Sequence, residues 1–222
     1  MFDWKTINTV LLDMDGTLLD LHFDNYFWQE HLPMRYAEQN NMSFDDALAY
    51  INIEVAKVAG QIEWYCLDFW GEKLNLPITK LKREIKDKIS LRPDTLPFLD
   101  ALKKAGKEVV LVTNAHPDSL SLKVERTALD SHIDRLISTH QYGVTKESQL
   151  LWQKLQADLN FDNSSTLFVD DSLVILDSAK TFGIKHILAV ANPDLQSKVV
   201  DKEKFINYPY ITDYRDIIAD IC

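Results

Sequence analysis

Asp13-Met14-Asp15-Gly16-Thr17 places two carboxylates two residues apart, directly after the apolar run Thr9-Val10-Leu11-Leu12. Alternate residues of an extended chain point to one side, so both acids face the same space. Asp170-Asp171 follows a second apolar run, Thr166 to Val169, and brings two more carboxylates. Carboxylates crowded together repel one another unless a cation sits among them. Hard oxygen donors suit Mg²⁺, so the metal set expected here is Asp13, Asp15, Asp170 and Asp171. Lys146 adds a fixed positive charge and Thr113 a hydroxyl. The helix expected after Thr113-Asn114 offers unpaired backbone N–H groups for an anion. A divalent cation, an ammonium and N–H donors together describe a phosphate site.

A carboxylate can attack phosphorus to form an aspartyl-phosphate. Asp13 is the expected nucleophile, because it leaves the strand first. Asp15 is the expected acid for the leaving alcohol, and then the base that activates water. Mg²⁺ and Lys146 would offset charge on the transferring group. Each feature alone has an ordinary reading: an aspartate after a strand caps a helix, a lysine is solvated, Thr-Asn makes a turn. The specific element is the run of two acids, glycine and threonine straight after an apolar strand.

The elements that must position these groups follow from periodicity. Thr9–Leu12 reads as a buried strand. From about 21 to 91 the pattern turns helical: Ala47, Ile51, Val55, Val58 and Ile62 recur at spacings of three and four. Residues 24–39 and 63–74 also read as helices, with a break or kink expected at Pro33. A further helix is expected over 81–89. From Asp94 onward helices and strands alternate. Helices are expected after Asp94 and over 118–129, 173–182 and from Lys146. Strands are expected over 108–112, 133–138, 166–169 and 186–190, with a closing strand and helix within 210–221. This alternation predicts an α/β fold, a parallel sheet with right-handed crossovers. Ligands in such sheets bind beyond the carboxyl ends of the strands, where every polar tip above lies.

The 222 residues suit one large domain or a domain with an insert. Lys and Arg number 24 against 34 Asp and Glu, a net charge of −10 that argues against nucleic-acid or anionic-membrane binding. Cys66 and Cys222 are too few for a disulfide framework. No signal peptide or membrane-spanning run is legible. The expectation is a cytoplasmic protein with a small-molecule substrate, its oligomeric state open and a monomer the default.

These residues resemble the haloacid dehalogenase-like (HAD) hydrolase superfamily. Asp13-Met14-Asp15-Gly16-Thr17 is similar to its first motif, Thr113 to its second, Lys146 to its third and Asp170-Asp171 to its fourth. The resemblance implies a Rossmann-like core over 1–20 and 92–222, a helical cap of the first type over 21–91, Mg²⁺ and an aspartyl-phosphate mechanism. More narrowly, Phe23-Asp24-Asn25-Tyr26-Phe27-Trp28, Trp64-Tyr65-Cys66-Leu67-Asp68 and Thr113-Asn114-Ala115-His116-Pro117 resemble bacterial GMP/IMP-specific 5′-nucleotidases, which implies purine nucleoside monophosphates as substrates. Two departures stand out. Val174 and Ile175 occupy the positions where many members carry a metal-binding acid, so Asp170 and Asp171 are expected to supply both carboxylates, with Asp177 outside the site. Thr145 and Glu147 flank Lys146 where prolines are common. Dehalogenases of this fold lack an acid at the Asp15 position, so Asp15 favours phosphate-ester chemistry. Alternatives are a phosphatase for another metabolite, such as a sugar phosphate, and a noncatalytic binder of phosphorylated ligands.

Substrate choice is expected in the cap, which excludes water from the leaving group. The expected substrate-binding set is Thr113, Asn114, Lys146, Asp24, Asn25, Tyr26, Trp28 and Tyr65. Asp24 and Asn25 serve equally well as helix caps, and the aromatics equally well as cap core. Trp64, Leu67 and Trp70 share a helical face that reads as packing. His116 is either a substrate contact or structural. Arg92 is either a substrate contact or a surface salt bridge. Cys66 reads as a buried apolar filler.

Overall fold

The computed structural model describes residues 2–197 and 202–221. Six strands form one parallel sheet: β1 Thr9–Leu12, β2 Glu108–Thr113, β3 Arg135–Ser138, β4 Thr166–Asp170, β5 His186–Val190 and β6 Tyr210–Ile211. Their spatial order is β3-β2-β1-β4-β5-β6. The chain therefore winds outward from β1 to one edge, then returns to β4 and winds to the other. The reversal opens a crevice at the carboxyl ends of β1 and β4, the usual ligand position in such sheets. Asp13 follows β1, Asp170 ends β4 and Asp171 follows it. Leu12 pairs with Val169 on one side and Leu111 on the other, so Asp13 stands level with Asp170, and Thr113 lies one residue further along.

Alternate residues of the strands enter two separate cores. Val10, Leu12, Val109, Leu111 and Val169 pack with α7 (Thr95–Lys104), α8 (Pro117–Thr127) and α11 (Arg215–Ile221). Leu11, Val110, Val112 and Phe168 pack with α9 (Gln149–Leu159) and α10 (Leu173–Phe182). Burial on both faces explains the continuous apolar runs of these strands.

Between β1 and α7 lie α1 (His22–Tyr26), α2 (Leu32–Asn40), α3 (Phe44–Lys57), α4 (Ile62–Tyr65), α5 (Leu67–Leu74) and α6 (Ile78–Glu84). They enclose a third apolar cluster containing Phe27, Ile51, Trp70 and Leu81. The chain leaves the sheet and returns side by side: Leu19 bridges Leu91, and the Asp20 N–H donates to Ser90 O at 3.0 Å.

Several sequence expectations shift here. Pro33 does not break the first helix. The wide π turn Phe27–His31 precedes it, and Pro33 stands in the first turn of α2, where its missing N–H is tolerated. Residues 63–74 divide at Cys66, whose extended backbone separates α4 from α5. The Trp70 indole N–H donates to Trp64 O at 2.9 Å, occupying a carbonyl that a continuous helix would use. The helix expected over 81–89 runs instead over Ile78–Glu84. Lys146 lies in the loop before α9, which starts at Gln149 under a Ser148 cap. Among the described residues, no helix is long and apolar enough to cross a membrane. Cys222 lies outside the described residues.

Candidate active site

Asp13 and Asp15 leave β1 through a tight turn that Gly16 makes possible. Gly16 has φ +84°, and a Cβ there would stand 2.6 Å from Asp171 Oδ2. Only glycine allows both the backbone angle and this approach of the two loops. Asp13, Asp170 and Asp171 each bring an oxygen within 4.8 Å of the others. Octahedral Mg²⁺ with oxygens near 2.1 Å needs separations of about 3.0 and 4.2 Å, so the donor set suits that ion in chemistry and stands close to the spacing it needs.

Lys146 is buried, and its ammonium donates to Asp13 and, at 2.7 Å, to Asp170 Oδ2. Asn114 fixes its loop. Asn114 Oδ1 accepts from the Lys146 backbone N–H at 2.9 Å and from the Thr139 hydroxyl at 3.0 Å. Thr113 ends β2 and is buried; its Oγ1 accepts from the Ala115 N–H at 3.0 Å, leaving the hydroxyl proton for another acceptor.

Burial dominates the electrostatics. It pushes Asp13 up to about 6, with Asp170 adding to the rise and Lys146 opposing it. Asp171 rises well above the carboxylate range through burial and the nearby Asp170 and Asp13. Burial alone would lower Lys146, but Asp13 and Asp170 hold its ammonium well above the usual range. One lysine against two buried acids and the half-buried Asp171 leaves the group short of positive charge, which a bound cation would supply.

Asp15 is not part of the three-acid group. Its Oδ1 accepts from Lys123 Nζ at 2.6 Å, so the carboxylate expected among the metal ligands is held here by an ammonium. Burial pushes Asp15 up to about 6 against the pull of Lys123, with Asp24 and Asp13 raising it further. Lys123 also donates to Asp24 Oδ2 at 2.6 Å, and Lys82 donates to Asp24 Oδ1 at 2.7 Å. Burial would raise Asp24, but the two lysines hold it well below the carboxylate range. The chain of charge thus runs from β1 through α8 to α1 and α6.

A cavity of about 360 Å³ opens over these groups, lined by Asp13, Asp15, Thr113, Lys146, Asp170 and Asp171 at its base. Asp24, Asn25, Trp28, Trp64, Tyr65, His116, Lys82 and Lys123 line its walls. Asn25 also donates to Asp194 Oδ2 at 2.8 Å. The Tyr65 hydroxyl donates to Glu147 Oε1 at 2.9 Å, and Glu147 Oε2 accepts from Asn114 Nδ2 at 3.0 Å.

Tyr26, expected at the substrate, is not among the lining residues, and Lys88 Nζ lies 4.0 Å from its ring centroid. Helical phase explains this, since Asp24, Asn25 and Trp28 share a face that Tyr26 leaves. Trp64 reaches the cavity wall rather than the cap core, while Trp70 is fully buried. Arg92 is neither a substrate contact nor a surface pair. It is buried and donates to Asn192 O at 2.7 Å, Asn192 Oδ1 at 3.0 Å and Thr212 O at 3.0 Å. His116 caps α8, its Nδ1 accepting from the Asp118 N–H at 3.2 Å, and also lines the cavity. Val174 is exposed and Asp177 accepts from the Tyr208 hydroxyl, so neither joins the three-acid group.

Sequence reasoning missed Lys82, Lys123 and Glu147. A signal existed for the lysines. Ile78, Leu81 and Lys82, like Ser119, Leu122 and Lys123, fall at buried positions spaced i, i+3 and i+4, so each lysine stands on a core-facing stripe.

The parallel sheet with acids at its switch point belongs to a recognised class. Residues 7–183 match the haloacid dehalogenase-like hydrolases, and the chain is a member of that enzyme family. Along nearly its whole length it is similar to the GMP/IMP nucleotidase YrfG of Escherichia coli (strain K12), 45% identical over 218 residues, which cover 98% of this chain and 97% of the relative. The GMP/IMP nucleotidase YrfG of Shigella flexneri matches to the same extent. A HAD phosphatase from Thermococcus onnurineus shares the fold with a TM-score of 0.77 at 20% identity, over 95% of this chain and 96% of the other.

Proposed function

We propose that this protein is a Mg²⁺-dependent phosphomonoesterase that hydrolyses purine nucleoside 5′-monophosphates, GMP and IMP, through an aspartyl-phosphate on Asp13. The observation that carries the reading is the pairing of two differently held acids in one cavity. Asp13 belongs to the three-acid group with Asp170 and Asp171, whereas Asp15 is set apart on Lys123. The extent of similarity to a GMP/IMP nucleotidase supports the choice of substrate.

Asp13 attacks phosphorus as the P–O5′ bond breaks. Asp15 gives its proton to the departing nucleoside oxygen. Asp15, now ionised, takes a proton from water as that water attacks the aspartyl-phosphate. Inorganic phosphate leaves and Asp13 is restored. Lys146 and the Thr113 hydroxyl hold the phosphoryl oxygens. Asp13, Asp170 and Asp171 would hold Mg²⁺, which when bound neutralises charge on the phosphoryl group. The helices within 21–91 act as a cap on a core of 1–20 and 92–222, a reading supported by the exit and return segments, which bridge at Leu19 and Leu91. Trp28, Trp64 and Tyr65 offer the base a stacking surface, and Asp24 and Asn25 offer polar contacts.

Phosphate release with Mg²⁺ from GMP, IMP, AMP, CMP, UMP and several sugar phosphates tests this directly, with Asp13→Asn beside the wild type. The expected result is turnover confined to GMP and IMP and absent in the variant. Preference for a sugar phosphate would overturn the substrate, and full activity of Asp13→Asn would overturn the mechanism.

A further inference from the structure

Three potential soft-metal ligands meet beside the cavity. Cys66 lies at the break between α4 and α5, His116 in the loop after β2 and His140 in the turn after β3. Each offers a ligand atom, and all three atoms lie within 4.8 Å of one another. The two imidazoles are T-shaped, with ring centroids 5.1 Å apart. A tetrahedral ion with N and S ligands needs separations of about 3.3–3.6 Å, so the three side chains would draw together around a bound ion.

His140 is preorganised for such a role. Its Nε2 is buried without a hydrogen-bond partner, a costly state for a polar atom. The Asn114 backbone beside the ring favours its protonated form, though less than burial disfavours it. A ring proton on Nδ1 would leave the Nε2 lone pair free, the arrangement that second partners impose on metal-binding histidines. Burial, with the nearby His116, keeps this ring below the usual imidazole range and hence neutral at pH 7. Asp68 Oδ2, 3.5 Å from His116 Nε2 and on an exposed side chain, is available as a fourth ligand. Coordination through His116 Nε2 moves its ring proton to Nδ1, at the cost of the hydrogen bond from the Asp118 N–H.

We propose that Cys66, His116 and His140 form a second cation site, selective for a borderline-soft divalent ion such as Zn²⁺, whose occupancy ties the helical layer to two sheet-end loops and inhibits turnover. Thiolate and imidazole select Zn²⁺ over Mg²⁺, so the site is chemically distinct from the three carboxylates. Uptake expels the Cys66 thiol proton to solvent as the sulfur–metal bond forms. The site sits at the rim because His116 and the residues before Cys66, Trp64 and Tyr65, line the cavity. Cation binding is independent of the substrate proposed above; only the inhibition concerns turnover.

Cobalt titration of the full chain in excess Mg²⁺ tests the site without reference to activity. The expected result is a thiolate-to-cobalt charge-transfer band that saturates at one ion per chain and is bleached by Zn²⁺. The band should survive Cys222→Ser and vanish in Cys66→Ser, with Cys66→Ala as a second variant should the serine protein fail to fold. His140→Gln should weaken cobalt binding by more than about tenfold, since even outer partners contribute that much. A wild type with no such band, a band that survives Cys66→Ser, or unchanged affinity in His140→Gln would overturn the site. For the inhibition, Zn²⁺ should slow the wild type more than Cys66→Ser. Equal inhibition of both would place the effect at the carboxylates and overturn that half of the proposal.

Discussion

Lys123 Nζ stands 2.6 Å from both Asp15 Oδ1 and Asp24 Oδ2, and its side chain is almost wholly buried. Removing one partner of a buried ionic group leaves the others uncompensated, which typically costs about 3–5 kcal/mol. Lys123→Met should therefore lower the melting temperature by about 10 °C, as calorimetry would measure for a chain of this size. Asp15→Asn has a different signature, because it removes an acid and a base without emptying a core position. Turnover of GMP should fall by about 10²- to 10⁴-fold, the usual worth of such a group. With p-nitrophenyl phosphate the leaving phenolate needs no proton, so the first step should survive and the second should not. Stopped-flow absorbance should then show a burst of nitrophenolate followed by a stall; steady, wild-type turnover of this ester would remove Asp15 from the water-activating step. At this scale, sequence reasoning found the groups that end strands and missed those that enter from helices. Asp13, Thr113 and Asp170 announce themselves because a polar residue ends an apolar run. Lys123 and Lys82 sit within helices, where a lysine is ordinarily solvated, and only their core-facing phase distinguishes them.

The turns and loops between elements explain why some contacts were legible and others were not. Gly16 carries φ +84°, and its missing Cβ leaves room for Asp171 Oδ2 and, at 2.9 Å from where a Cβ would be, for Pro193 Cβ. Gly16→Ala would force both a left-handed alanine and a displaced carboxylate. A residue in such strain costs about 1–3 kcal/mol. The same displacement should weaken Mg²⁺ by more than about tenfold in a calorimetric titration. Unchanged metal affinity would mean that Asp171 is not a ligand. Arg92 shows the opposite case, a residue whose neighbours were invisible in sequence. It joins the returning segment to Asn192 and Thr212, 100 and 120 residues further on. No local pattern encodes contacts of that range. Likewise, Tyr26 and Trp28 are equally plausible stacking residues by type, and only helical phase separates them. The division at Cys66 escaped periodicity because Trp64, Leu67 and Trp70 fit one helical stripe whether or not the helix is continuous.

For the molecule as a whole, the three carboxylates form a concentration of negative charge in a chain whose net charge is already −10. Burial pushes Asp13 up to about 6 and raises Asp170 and Asp171 as well, so holding all three ionised opposes the folded state near neutral pH. A ligand that binds only the folded chain stabilises it by an amount set by its concentration over its Kd, about 2.7 kcal/mol at a hundredfold excess. For a protein of this length, that corresponds to a melting temperature higher by about 5–10 °C. Mg²⁺ added to chelator-treated protein should therefore raise the melting point, and the rise should continue with the logarithm of its concentration beyond saturation. Asp171→Asn should lose most of that response, because it removes a ligand and leaves the fold's two cores untouched. Asp15→Asn should retain it, because the Asp15 carboxylate is held by Lys123 outside the three-acid group. Differential scanning fluorimetry of the wild type and the two variants separates the cases. Loss of the response in Asp15→Asn as well would return Asp15 to the metal set; its loss in Asp171→Asn alone would assign the cation to the crevice between β1 and β4.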